Sequence, residues 1–123
     1  MSSNQHYKSN LRDIQFNLFE FQKVQDFALG KGPYANMDFE TSKDILTNFE
    51  AMCCDEFATS FVESDRVPLK LDKEGNVTLP EGLSKTIDLF YEQQWNLLEL
   101  PEHLGGYGIP RTVYWASFEL IVG

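Results

Sequence analysis

The sequence has few of the residues that most chemistry needs. It holds two histidines, His6 and His103, far apart in the chain. No His pair with metal-ligand spacing exists, and the Ser-His-Asp and Cys-His arrangements of nucleophilic catalysis lack material. Its two cysteines, Cys53 and Cys54, are adjacent. Neighbouring residues form no ordinary disulfide staple, and no third cysteine offers a partner. On a helix they diverge by about 100°, so at most one faces a core; a buried small hydrophobe is the expectation. Basic residues are scarce: ten against nineteen acidic ones, a formal charge of −9. Such a surface repels phosphate backbones and anionic lipid heads, so neither nucleic acid nor a membrane surface is expected as partner. No stretch approaches the roughly 20 apolar residues of a membrane span. Met1–His6 lacks the basic start and apolar run of a signal peptide, so the cytoplasm is expected.

Hydrophobic residues are plentiful at 42%, and aromatics reach 14%, ten of them Phe. That supports one packed domain in a chain too short for two. Residues 1–9 are polar and expected to be a flexible N-terminal segment. Asn10 is a candidate helix cap, with Asp13 near the positive helix end. Ile14, Leu18, Phe21 and Val24 recur at helical spacing, with Phe16, Phe19 and Phe27 broadening the apolar face. Gly30-Lys31-Gly32-Pro33 should stop this helix near Leu29. A second helix, capped by Asp38 or by Thr41 with Asp44, carries Ile45, Phe49, Met52 or Cys53, Phe57 and Phe61 on one face. It should fade at Ser64–Pro68, because proline disfavours helix in the residue before it.

Leu69 and Leu71, then Val77-Thr78-Leu79 beyond Gly75-Asn76, read as a short hairpin or extended excursion near 67–79. Pro80-Glu81-Gly82 suits a helix start, and Leu83, Ile87, Phe90 or Tyr91 continue it to about Gln94. Pro101 to Pro110 holds three glycines and two prolines, which enforce a tightly turned loop. Its Gly105-Gly106-Tyr107-Gly108 fits neither the nucleotide P-loop nor the dinucleotide fingerprint, and reads as a turn between helices rather than an anion site. A last helix carries Val113, Tyr114, Ala116, Phe118, Leu120, Ile121 and Val122. Glu119 is the one charge in the final ten residues, so this helix is apolar on nearly every side. That is the mark of a buried helix whose partner surface lies elsewhere. The fold class is therefore all-α, four to five helices with one extended excursion.

The order of these pieces resembles the acyl-CoA dehydrogenases. Tyr7-Lys8-Ser9-Asn10-Leu11-Arg12-Asp13-Ile14-Gln15-Phe16 resembles the opening of a subgroup with an extended N-terminus, whose members act on long-chain acyl-CoAs and on methylmercaptopropionyl-CoA. Phe61–Arg66 and Val77-Thr78-Leu79-Pro80 resemble later segments of that subgroup. The loop Leu100–Gly108 and Phe118-Glu119-Leu120 are similar to segments found across the wider family, all in the family's order. His103-Leu104 departs from the more usual acidic-aromatic filling of the loop. The resemblance implies that residues 10–123 are the N-terminal helical domain, truncated at its C-terminal helix. In the whole protein a β-domain and a four-helix bundle would follow and hold FAD. A glutamate base there would take a proton α to the thioester carbonyl while hydride passes from the β carbon to the flavin. The product would be a trans-2-enoyl-CoA, as in fatty-acid β-oxidation, with electrons leaving to an electron-transfer flavoprotein. The resemblance also implies a homo-oligomer, and it makes the remainder of the polypeptide the domain's first partner. It assigns no catalytic, flavin-binding or metal-binding residue to this stretch, which would be inactive and without cofactor by itself. Gly105, Gly106 and Gly108 enter only as a structural loop next to a domain interface. From a different class, the alternative is a small acidic helical interaction module that docks through its apolar last helix.

Overall fold

The computed structural model describes residues 6–122, and its elements follow from the sequence with two instructive shifts. Helix α1 (Leu11–Gln15) widens into a π-helical turn at Phe16–Phe21, and a separate short helix α2 spans Val24–Phe27. The single helix expected to reach Leu29 is thus broken at Lys23, whose φ of 56° lies in the left-handed region. Ile14, Leu18 and Val24 are buried as their spacing predicts. Phe21 is not: it is 74% exposed, and Phe19 takes the inward place instead. A π turn holds an extra residue, so a side chain counted at 3.6 residues per turn lands on the wrong face. Asn10 occupies the cap position but makes no cap bond; its amide donates to the Asp13 carboxylate at 2.6 Å.

Asp38, rather than Thr41, caps α3 (Phe39–Met52): its carboxylate accepts the Thr41 N–H at 2.7 Å. A second π-helical turn at Cys53–Phe57 joins α3 to α4 (Ala58–Arg66), so one long rod runs from 39 to 66. Ile45, Leu46, Phe49, Met52 and Cys53 face the core. Beyond the π turn the register slips again. Phe57 is half-buried and Phe61, expected on the same stripe, is 60% exposed.

The excursion is a small antiparallel hairpin, β1 (Lys70–Leu71) with β2 (Val77–Thr78), pairing Lys70 with Thr78 and Leu71 with Val77. Asp72 holds its turn by accepting the N–H groups of Glu74 and Asn76 and the Asn76 amide, at 2.8–2.9 Å. Leu69, Leu71 and Val77 stay exposed, so the hairpin adds little to the core. Helix α5 (Glu81–Glu92) follows with Pro80 just outside it, where the missing N–H has no bond to lose. The Glu63 carboxylate on α4 accepts the Gly82 N–H at 2.9 Å and docks the start of α5. The helix ends at Gln93, and Gln94 turns the chain with φ 62°.

Helix α6 (Arg111–Val122) packs on α3 and touches both π turns. The core lies where it meets them: Leu18, Leu46, Leu98, Ile109, Val113 and Leu120 are all nearly fully buried. Phe49 extends the core towards α5 and the connector, its ring 5.0 Å from Trp95 and 6.5 Å from Phe90. The all-α class and the hairpin near 67–79 agree with expectation. The flexible segment expected over residues 1–9 lies outside the described residues up to Gln5. His6 to Ser9 lie against the helical body: the Tyr7 hydroxyl donates to the Leu120 carbonyl and Ser9 to Glu50.

Candidate docking face

The chain approaches α6 through Trp95–Leu100, and the loop that follows is built on close backbone contact. Gly105 has φ 88°, which costs glycine nothing and any other residue strain. Gly106 faces a harder constraint, because a Cβ there would sit 1.9 Å from the Leu100 carbonyl oxygen. Every N–H from Leu104 to Ile109 donates to a carbonyl. Leu104 and Gly106 bond to Pro101, Gly105 to Glu102, Tyr107 to Leu97, Gly108 to Leu100 and Ile109 to Leu98, all at 2.9–3.2 Å. An anion cradle needs amides left free to point at the ligand. Leu104 to Ile109 leave none, so the amides of Gly105, Gly106 and Gly108 do not fit a phosphate of flavin or of any other nucleotide. They lock the loop, and the loop fixes where α6 starts.

That start is held again by Arg111, paired with Glu99 at 2.7 Å, a surface pair worth little energy by itself. From there α6 has two unlike sides. Val113, Ser117 and Leu120 face the core, with the Ser117 hydroxyl bonded to the Tyr114 carbonyl at 2.7 Å. On the other side Trp115 is 62% exposed, Phe118 40% and Val122 68%. Tyr114, Trp115 and Phe118 form a ring cluster with centroids 5.7–6.2 Å apart. Aromatic rings gathered on one solvent-facing helix side are the composition of an interface centre rather than of ordinary surface. Beside this face, between α4 and the end of α6, lies an open cleft of about 450 Å³. Tyr7, Phe57, Phe61, Leu83, Ile121 and Val122 give it an apolar lining.

Among the described residues the titratable groups offer no competing centre. Burial, with Cys54 and Glu50 adding to it, pushes the Cys53 thiol up to about 12, so it stays neutral and unreactive. Cys54 is half-buried, its pKa also raised, first by burial and then by Glu50 and Asp55. His103 is exposed on the glycine loop, and the His6 ring packs on Phe61 of α4. Among the described residues no three of His, Cys, Asp and Glu gather where they could hold a metal ion. Among the same residues no helix is long and apolar enough to cross a membrane. Sequence reasoning found α6 and the glycine loop but missed the cleft. Helical spacing puts Phe61 on the same face as Phe49 and Phe57, and Tyr7 belongs to a segment expected to be flexible, so neither signals a cleft.

No family model matches the chain. It is 41% identical over 119 residues to a broad-specificity linear acyl-CoA dehydrogenase of Mycobacterium tuberculosis, an alignment that covers 96% of this chain and 19% of that protein. It is 27% identical over 118 residues to the 3-methylmercaptopropionyl-CoA dehydrogenase of Ruegeria pomeroyi, covering 94% of this chain and 19% of that one. The chain therefore spans about a fifth of the length of the curated relatives it matches.

Proposed function

The chain belongs to the acyl-CoA dehydrogenase family as a counterpart of its N-terminal helical domain, and from that premise we propose that it serves an acyl-CoA dehydrogenase as a docking domain without chemistry of its own. The observation that carries this is the 41% identity over nearly the whole chain, to a relative about five times as long. In the whole protein a flavin, FAD, would accept the hydride. A base outside these residues would take the α proton of an acyl-CoA, and the product would be a 2-enoyl-CoA. The substrate class is a fatty acyl-CoA, the electron acceptor an electron-transfer flavoprotein, the compartment the cytoplasm and the working form a homo-oligomer. The contribution of residues 10–123 is a rigid helical body whose α6 face meets the flavin-holding remainder, at an angle set by Gly105, Gly106 and Gly108.

The physical support is the mismatch between the two sides of α6. Burying Trp115, Phe118 and Val122 would remove apolar area worth roughly 25 cal/mol per Å² from water, and within one polypeptide that gain carries no cost of bringing two molecules together. The same face would also suit a free-standing interaction module, and one experiment separates the two. The coding region is expressed together with whatever follows Gly123. A polypeptide that continues into a β-rich segment and retains FAD is the expected product. A reading frame that stops with no such segment overturns the dehydrogenase assignment in favour of the module.

A further inference from the structure

We infer that residues 6–9 are a strap that holds the last turn of α6 in place, with Tyr7 as its positioning residue. Three contacts fasten this short segment to three different helices. The Tyr7 hydroxyl donates to the carbonyl of Leu120 on α6, the Ser9 hydroxyl donates to Glu50 on α3, and the His6 ring lies 5.6 Å from that of Phe61 on α4. Leu120 lies in the last described turn of α6, and a side chain 113 positions away in the sequence donates to its carbonyl. Tyr7 also packs against the core cluster, and burial pushes its pKa up to about 12, so the hydroxyl keeps its proton and remains a donor across the physiological range.

The strap matters because of where it pulls. Ile121 and Val122 stand beside Tyr7 in the cleft between α4 and α6, and Phe118 is two residues before Leu120. A frayed last turn would carry these side chains out of register with the Trp115 end of the face. The strap thus makes the Leu120 end of α6 an ordered half of the docking face. This inference stands on the contacts alone and does not depend on the dehydrogenase assignment.

Amide hydrogen exchange on the 123-residue chain tests it. Tyr7→Phe keeps the ring and its packing and removes only the hydroxyl. Amides 119–122 should then exchange about fivefold faster, the worth of one net hydrogen bond, while those of Leu46 and Phe49 in α3 keep their rates. Ser9→Ala, which touches α3 and not α6, should speed the same α6 amides, because it frees the strap from its other end. Unchanged exchange at 119–122 in either variant overturns the strap. So does an acceleration spread evenly over α3 and α6, which would make Tyr7 an ordinary core side chain.

Discussion

Replacing Gly106 by alanine should damage this protein more than replacing any other glycine of its loop. The Cβ would lie 1.9 Å from the Leu100 carbonyl oxygen, 2.4 Å from its carbon and 2.5 Å from the Leu100 Cβ. Non-bonded atoms sit at roughly 3.5–4 Å, so the backbone must part by more than an ångström. The atoms in the way are mostly main chain, with no flexible tip to swing aside. The bonds at risk are those on either side, Tyr107 to Leu97, Gly108 to Leu100 and Ile109 to Leu98. At about 1 kcal/mol net for each bond, their loss comes to about 3 kcal/mol. Loosening Ile109 and Leu98, both nearly fully buried, adds to that. Gly105→Ala is the control, because a Cβ there meets nothing within 4 Å and incurs only the left-handed strain, about 1–2 kcal/mol. Thermal unfolding followed by circular dichroism reads the difference. At about 3–5 °C per kcal/mol for a domain of this size, Gly106→Ala should melt roughly 10–15 °C low and Gly105→Ala about half as far. If Gly106→Ala melts at or above Gly105→Ala, the close approach to Leu100 does not hold the loop.

The two phenylalanines of the long rod should separate in the same assay. Phe49→Ala should cost about 3–5 kcal/mol as a core truncation, and Phe61→Ala, 60% exposed, under about 1; equal losses would restore the uninterrupted helical stripe. Acid should weaken the protein partly through Asp38, whose pKa the Thr41 N–H holds below the ordinary 3.8. The folded state favours the carboxylate, so this contribution is present above that ordinary value and fades as pH falls through the lower folded one. Asp38→Asn should therefore flatten the fall of melting temperature in acid, and parallel profiles for the two proteins would remove Asp38 as a cause. Asp72 behaves alike, lowered first by the Asn76 side chain.

Local signals in the sequence reached as far as regular geometry did. The cap at Asp38, the rod that follows, the Gly75 turn and the glycine loop each sit where short-range chemistry puts them. Phe21 and Phe61 were misplaced for a shared reason. Each follows or closes a π turn, and no residue type announces the extra residue that rotates the face. Phase counting therefore works inside α3 and fails across Cys53–Phe57. Tyr7 escaped for a different reason, since its partner Leu120 is 113 positions away. Periodicity carries no information on so remote a pairing. The uncovered side of α6 was readable, because a helix apolar all round in a domain this small has one side too many. What meets that side is not encoded in the helix itself. The alignment with relatives about five times longer supplies the context.

Anaerobic titration of the longer polypeptide with an acyl-CoA tests the central proposal most directly. The protein should purify yellow, its flavin absorbance should bleach as substrate is added, and the solution should accumulate the corresponding 2-enoyl-CoA. A polypeptide that carries this chain intact yet binds no flavin, or keeps its colour in the presence of linear acyl-CoAs, would contradict the assignment.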